Sequence, residues 1–427
     1  MSLRIPGRAA AHAAIGFGEF VALAAAMLST QAIAVDAMLP ALPTIVRELG
    51  VADPNRGQWI ITAYVTGVGI GQLFWGFFSD RFGRRPVLLI GMGVYAAAAV
   101  MCGLAGSFDS LLAWRLVHGL AAASAVVTRS VIRDLYSGRT MARVLSLTFV
   151  VFLMVPVIAP SLGQLILLLA PWRYVFGVFG GFALLVGGWA LLRLPETLHA
   201  EFRASLTAEH FVRAAGRVLG DRISLFYTLS VTVMFGALIS YVGMVQQIFA
   251  DVFHRASWMP TMFALCAGFM GLASLLNSRI VERLGMRRIS HAALLCYLAV
   301  TLLHLLVALA GYERLWTFVA LQAATMACFS LAVSNFGAMA LEPLGAIAGI
   351  GASLQGFITT FGGGLVGAAV GRYFNNSTVP LTVGALGSGL ASLLFVLMAE
   401  RWQLFRPQHA GAVPVPVEGA LETLGHH

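Results

Sequence analysis

The sequence predicts an all-α integral membrane protein of twelve transmembrane helices, arranged as two pseudo-symmetric bundles of six. Three observations lead to this fold class. The 427 residues are 59% hydrophobic and only 11% charged, whereas about a quarter of the residues in a soluble domain are charged. About twenty consecutive apolar residues cross a bilayer, and twelve such runs follow one another along the chain. A charged motif also recurs at corresponding places in the two halves.

Short polar or charged segments separate the twelve predicted spans. In order, the spans cover residues 16–42, 56–77, 87–106, 110–132, 143–168, 173–193, 222–249, 258–281, 289–311, 315–337, 344–371 and 379–400. The first run is too long for a signal peptide and is predicted to remain as span 1.

One longer charged segment lies between spans 6 and 7, and it is suited to an amphipathic helix on the membrane surface. We therefore divide the chain into an N-terminal six-helix bundle (1–193), a cytoplasmic linker (194–221), a C-terminal six-helix bundle (222–400) and a disordered tail (401–427). The tail ends in His426 and His427, which are compatible with a tag remnant.

The arginine distribution predicts the orientation. All 27 basic residues are arginine, and twenty of them fall in segments on one face, against six on the other. Because positive loops stay on the cytoplasmic side, we expect both termini inside the inner (plasma) membrane. Topology thus accounts for the net charge of +9 without nucleic acid as a partner. The four cysteines have neither CxxC nor metal-ligand spacing, so no metal site is predicted.

The stretch from Gly76 to Pro86 is predicted to form a tight, charged loop between spans 2 and 3. Gly83 is expected to make the turn, since glycine adopts positive φ without steric cost. A related motif, acid-Arg-x-Gly-x-Arg, returns at Glu282 to Arg287 between spans 8 and 9. Repeated halves are typical of transporters, whose binding sites lie at mid-membrane between the repeats.

These features resemble the major facilitator superfamily, whose motif Gly-x-x-x-Asp-Arg-x-Gly-Arg-Arg begins here at Gly76. Further stretches resemble its proton-coupled drug antiporters with twelve spans, in particular the bicyclomycin and chloramphenicol resistance (Bcr/CflA) branch. These stretches are Asp36 to Pro43 in span 1, Arg115 to Gly119 and Arg133 to Tyr136 in and after span 4, and Pro160 to Gly163 in span 5. His118 stands where that branch usually has Gln, and Ala159 and Gln164 stand where the span 5 motif usually has Gly.

The resemblance implies a secondary active transporter that exports a small amphiphilic molecule or drug in exchange for protons by alternating access. It would work as a monomer in the lipid bilayer, driven by the proton gradient without a cofactor. Proton-coupled uptake or facilitated diffusion of a metabolite is the alternative, and a non-transport sensor or scaffold is a remote one. An enzyme is not expected, because no paired carboxylates or nucleophile with a base can be placed together.

Asp36 is the first candidate for proton coupling. A charged carboxylate inside a span is costly, which favours binding a proton there. Pro40 cannot donate the helix hydrogen bond to the carbonyl of residue 36, so a kink is predicted beside the carboxyl group. The competing interpretation is a carboxylate that caps span 1 near the headgroups.

Arg115 is permanently charged and lies inside span 4. Its side chain either extends to the headgroups or faces the cavity, where the resemblance implies that it favours the ionised form of Asp36. Glu19 lies roughly 25 Å from Asp36 along a helix. The two carboxylates cannot share one proton, and Glu19 is given an interfacial role, with an inner proton step or cation recognition as the alternative.

The remaining candidates are assigned to a cavity and to a conformational gate. In the second half, hydrogen-bonding and aromatic side chains, with no buried acid, are expected to contact the substrate. Together with Asp36 and Arg115, the predicted cavity residues are His118, Tyr241, Gln246, Gln322, Gln355 and Phe357. The resemblance implies that the charged motif locks the inner face, and span 5 is expected to bend and to let span 8 approach through a glycine. The predicted gate residues are Gly76, Asp80, Arg81, Gly83, Arg84, Arg85, Pro156, Pro160 and Gly163.

Overall fold

The computed structural model describes residues 15–136, 138–198 and 208–405, and these residues form helices joined by short connections without a β-strand. We keep the name span for each predicted crossing. In the first half, the helices are Phe17–Asp36 and Leu42–Glu48 (span 1), Gln58–Phe82 (span 2), Arg84–Gly103 (span 3), Phe108–Leu120 and Ser124–Leu135 (span 4), Gly138–Leu169 (span 5) and Arg173–Arg193 (span 6).

In the second half, a helix at Ala208–Gly220, here named the linker helix, precedes six further spans. These are Arg222–Gln247 (span 7), Met259–Leu284 (span 8), Met286–Leu309 (span 9), Leu315–Leu341 (span 10), Ala348–Phe357 and Gly363–Gly371 (span 11) and Val379–Ala399 (span 12). Short π-helical turns, Ile248–Val252 and Ile358–Gly362, extend span 7 and connect the two parts of span 11.

Eleven helical stretches among the described residues are long and apolar enough to cross a membrane. The predicted span 5 is the twelfth, and it forms one helix of 32 residues. The twelve-helix membrane fold is therefore confirmed. The linker helix lies inside the predicted linker, and Val218 on it packs against Leu344 and Leu354. The domain boundaries remain a prediction. Residues 1–14, 137, 199–207 and 406–427, with His426 and His427, lie outside the described residues.

The predicted loop from Gly76 to Pro86 is wrong, because helical structure fills nearly all of it. Span 2 continues to Phe82, and span 3 begins at Arg84, so the chain reverses over Gly83 alone. Gly83 has φ of +104°, which confirms its predicted turn conformation. Asp80 and Arg84 are thereby brought one helical turn apart across the reversal, close enough to form an ion pair.

The hydrophobic core shows which end of the molecule is closed. At the predicted extracellular end, one cluster joins both halves, from Ile60 and Tyr64 in span 2 to Tyr241 and Phe263 in spans 7 and 8. At the predicted cytoplasmic end, the large clusters are separate: one belongs to the first half and another to the second. Among the described residues, the two bundles therefore share a large core at the predicted extracellular end, and a small cluster under the linker helix also joins them.

Gly163 lies against span 1, and the expectation that it opens span 5 to span 8 is wrong. A Cβ atom at Gly163 would lie 2.0 Å from the carbonyl oxygen of Ala37, far inside contact distance. Spans 5 and 8 do pack together. The close contact that requires a glycine at position 163, however, is the one with Ala37 of span 1. Gly163 thus lets span 5 press on the backbone where the first helix of span 1 ends.

We expect Gly163→Ala to destabilise the protein by about 1–3 kcal/mol, since the new methyl group forces spans 1 and 5 apart. Thermal unfolding in detergent measures the change. The control is Gly177→Ala in span 6, where a Cβ atom would meet nothing within 4 Å. An unchanged unfolding temperature for Gly163→Ala would contradict the tight contact.

Candidate functional site

Asp36 is the last residue of the first helix of span 1. The helix ends there, residues 37 and 38 form a turn, and a 3₁₀ turn, Leu39–Ala41, leads into the helix Leu42–Glu48. This is where Pro40 predicts an interruption. The Asp36 residue is 7% exposed, and its carboxylate forms no hydrogen bond or ion pair with any residue in the described ranges. A buried acid without a partner carries a large cost when it is charged.

Arg115 has no exposed surface and points into the first bundle. Its Nε donates to the carbonyl oxygen of Ile60 at 3.2 Å, and its Nη2 donates to the carbonyl oxygen of Ala34 at 3.1 Å. The guanidinium carbon lies 4.4 Å from the ring centroid of Tyr64, a cation–π contact. Arg115 therefore ties spans 1, 2 and 4 together through backbone oxygens, and it does not extend to the headgroups.

The carbonyl of Ala34 is available to Arg115 because span 1 breaks. The N–H of Met38, which would bond Ala34 in a continuous helix, donates to Val35 instead, at 3.3 Å. The guanidinium thus contacts the backbone two residues before Asp36, and the structure shows no ion pair between Arg115 and the Asp36 carboxylate. Arg115 and Asp36, the predicted proton-coupling residues, therefore both lie at the break in span 1. They are linked through the backbone from Ala34 to Asp36.

His118 completes this cluster. Its Nδ1 lies 3.1 Å from Nη1 of Arg115 and must accept the hydrogen bond, because a guanidinium only donates. Nε2 therefore carries the ring proton, and it has no partner among the described residues. The imidazole packs against Tyr95 and Tyr64, with ring centroids 4.0 and 5.2 Å away.

The predicted cavity residues of the second half are spread over different surroundings. Tyr241 stacks on Phe263 at 5.7 Å, and Gln322 is buried. Gln355 donates to the carbonyl of Gly337 at 3.2 Å, which connects spans 11 and 10. Phe357 stacks on Phe361 at 5.4 Å. Gln246 lines a cavity of about 440 Å³ at the predicted extracellular end, and it is the one member of the predicted set that does.

The charged motif forms an ion-pair network inside the first half. Arg84 is buried, its Nε donates to Asp134 at 2.9 Å, and its Nη1 contacts Asp80 and Ser79. Arg81 forms no ion pair with a described residue and lies over the ring of Phe82. The predicted gate residues therefore differ in role, because Arg84 is the centre of the network and Arg81 faces outward.

Glu196, just after span 6, is a partner that the motif does not reveal. Its carboxylate accepts the backbone N–H groups of Arg84 at 2.9 Å and of Arg85 at 3.2 Å. These are unpaired donors at the start of span 3, where a negative charge is also favoured by the helix dipole. Gly83 leaves room for it, since a Cβ atom there would lie 2.6 Å from Oε2 of Glu196.

The second half has a related network, which corrects the expectation that this half holds no buried acid. Arg287 donates to Glu400 at 2.8 Å and lies 3.8 Å from Glu342, while the hydroxyl of Tyr227 donates to Glu400 at 2.7 Å. The Glu400 side chain is nearly inaccessible. In both halves, a glycine with positive φ (Gly83 or Gly285) is followed by an arginine that pairs with acids at the ends of later spans.

Glu19, Pro156 and Pro160 complete the predicted set. Glu19 accepts from Arg193 at 2.7 and 2.8 Å and from Trp189 at 3.2 Å, which favours the interfacial role at the end of span 6. The two prolines lie inside the uninterrupted helix of span 5. Gly76 faces Ser353 of span 11, whose Oγ would lie 3.3 Å from a Cβ atom there.

Comparison with known proteins decides the family. The sequence model of the Major Facilitator Superfamily matches residues 20–368, which is most of the chain. The chain belongs to the major facilitator superfamily. As a member of it, the protein is a transporter with a small-molecule substrate, and it crosses the membrane many times.

Relatives of this transporter point to the drug-efflux branch. It is 30% identical to the uncharacterized MFS-type transporter YdgK of Bacillus subtilis (strain 168), over 82% of this chain and 87% of that protein. It is 29% identical to a bicyclomycin resistance protein homolog of Haemophilus influenzae, over 82% and 89%. It is 28% identical to the multidrug resistance protein MdtL of Shewanella oneidensis, over 86% and 93%. The branch inferred from the span 1, 4 and 5 motifs is thereby supported.

Solved structures share the fold of this transporter. A D-xylose-proton symporter superposes with a TM-score of 0.70 at 15% identity, covering 89% of this chain and 95% of that one. The human organic anion transporter MFSD10 gives a TM-score of 0.63 at 20% identity, covering 90% and 98%. At these identities the likeness concerns the fold alone.

Arg84→Gln is expected to lower the unfolding free energy of the transporter by about 3 kcal/mol, because Asp80 and Asp134 lose their buried cation. The thermal unfolding temperature and the rate of substrate turnover should both fall. The matched control is Arg81→Gln, three residues away, which removes the same charge from the same face and should change stability by less than about 0.5 kcal/mol. Equal effects of the two changes would contradict the stabilising role of the Arg84 ion pairs and would indicate that both arginines only set the membrane topology.

Proposed function

We propose that this transporter exports a small amphiphilic molecule or drug in exchange for protons, by alternating access. The proton gradient would drive it without a cofactor, and it would act as a monomer in the inner (plasma) membrane with both termini in the cytoplasm. The observation that carries the proposal is Asp36, a buried carboxyl group without a partner at the interruption of span 1.

A carboxyl group in this position responds to which side of the membrane it faces. Burial without a cation costs several kcal/mol for the charged form, and binding a proton removes that cost. When the bundles rearrange and water reaches the group, the charged form is solvated and the proton leaves. Access to alternate sides of the bilayer therefore converts a change of conformation into proton movement.

Arg115 positions this group through the backbone. Its bond to the carbonyl of Ala34 satisfies a helix-end acceptor, and its bond to Ile60 fixes the same turn against span 2. The permanent positive charge of Arg115 would favour the ionised form of Asp36 when a rearrangement of the bundles brings the two side chains together. Arg115 thus tunes proton release without forming an ion pair in the closed state.

The proposed direction of transport rests on two supports. The antiporter-like motif continues through Pro160 to Gly163, and Gly163 contacts the residue after Asp36. The relatives bear the names bicyclomycin resistance protein homolog and multidrug resistance protein MdtL.

The test is Asp36→Asn in proteoliposomes with an imposed pH gradient and a panel of hydrophobic cations, neutral antibiotics and metabolites. We expect the wild-type protein to accumulate at least one drug-like compound against its gradient. The variant should lose this proton-driven accumulation, because asparagine cannot exchange a proton. It should retain exchange of substrate for substrate, since the fold is unchanged.

The control is Asp109→Asn, which neutralises an exposed carboxylate that pairs with Arg56 outside the membrane core. It should transport as the wild-type protein does. Proton-driven accumulation that survives Asp36→Asn would overturn the proposed coupling. Flux that ignores the gradient would indicate a facilitator, and accumulation in the direction of proton entry would indicate symport.

A further inference from the structure

The cavity of about 440 Å³ at the predicted extracellular end has a mixed lining. Its apolar part comes from the outer part of span 1 and the loop that follows, and its amide side chains come from the start of span 2 and the end of span 7. The apolar residues include Leu42, Val46 and Pro54, and the amides include Gln246 and Gln247. The volume suits a small organic ligand, and none of the predicted proton-coupling residues lines the cavity.

The walls of the cavity belong to different halves of the transporter, and an amide clasp joins them. Nε2 of Gln58 donates to Oε1 of Gln247 at 3.0 Å and to the carbonyl of Gly371 at 3.0 Å. Asn55 donates to the carbonyl of Phe374 at 2.9 Å and accepts from Gln247 at 3.1 Å. The clasp carries no net charge, so it separates at low electrostatic cost when this end opens.

Two unpaired charges of opposite sign line the same cavity. Arg47 stands on the first half and Asp251 on the second, and both are exposed. Across the described part of the chain, neither forms an ion pair, whereas the nearby Arg56 and Arg173 have Asp109 and Glu48 as partners. An apolar cavity with a free cation on one wall and a free anion on the other is complementary to a zwitterion with an apolar body.

We propose that this cavity is a second ligand site, which binds a small zwitterionic amphiphile and whose occupancy holds the predicted extracellular end shut. The inference rests on the proposed function in one respect, namely that the two halves separate at this end during transport. The cavity exists only while its two walls are together. A ligand that binds one conformation alone shifts the population toward it, and transport slows accordingly.

The experiment measures binding of the dipeptide leucyl-phenylalanine, a zwitterion with two apolar side chains, to the full-length protein in nanodiscs without a pH gradient. We expect saturable binding by calorimetry. Arg47→Gln and Asp251→Asn should each weaken binding by up to about fivefold, as expected for loss of one exposed charge contact. Ala250→Phe, which places a ring in the cavity, should abolish binding. The N-acetylated, C-amidated dipeptide should bind more weakly than the zwitterion.

The matched control is Arg56→Gln, because Arg56 is an exposed arginine close to the cavity that does not line it. Binding to this variant should equal that of the wild-type protein. In proteoliposomes, the dipeptide added outside should slow export by the wild-type protein and not by Ala250→Phe. No binding of the dipeptide, or binding that all three cavity variants retain, would overturn the proposal. Because calorimetry needs no transport, this outcome is distinct from loss of proton-driven export in the test of Asp36.

Discussion

The proposed proton coupling depends on one constraint, a carboxyl group held in a membrane span without a cation beside it. Asp36 occupies the point where the first helix of span 1 ends, and its neighbours satisfy the backbone that the break exposes. Arg115 donates a hydrogen bond to the carbonyl of Ala34, and Gly163 allows span 5 to pack closely against Ala37. The surrounding structure thus fixes the position of the carboxyl group while leaving its charge uncompensated. That combination makes its protonation sensitive to water entering from one side or the other.

The two ends of the molecule are stabilised differently, which suits the proposed alternating access, in which each end opens in turn. At the predicted extracellular end, a shared apolar core and uncharged amides close the interface between the halves. At the predicted cytoplasmic end, the strong interactions lie within each half, around Arg84 and Arg287. These networks would keep each bundle rigid during the proposed alternating access. Such rigid-body motion of pseudo-symmetric halves around a central site is the usual basis of alternating access.

The fold followed from the sequence because bilayer thickness and apolar run length are directly related, and Pro40 marked the interruption at Asp36. Other features depend on contacts between residues far apart in the chain. In the sequence, Glu196 and Glu400 are ordinary charged residues near span ends. In the fold, Glu196 accepts a hydrogen bond from the backbone N–H of Arg84, and Glu400 forms an ion pair with Arg287. The sequence around Gly163 did not indicate that this glycine packs against span 1. The loop from Gly76 to Pro86 was predicted from its charges, whereas a buried ion pair allows those charges to remain helical.

The most direct measurement of the central claim is infrared difference spectroscopy of the purified transporter during addition of a transported compound. A protonated carboxyl group absorbs apart from a carboxylate, so the loss of one proton is seen as a change in that band. If Asp36 carries the proton, a carboxyl signal is expected in the wild-type protein and in Asp109→Asn, and it should be absent in Asp36→Asn. The same signal in Asp36→Asn would contradict the account, because another group would then carry the proton.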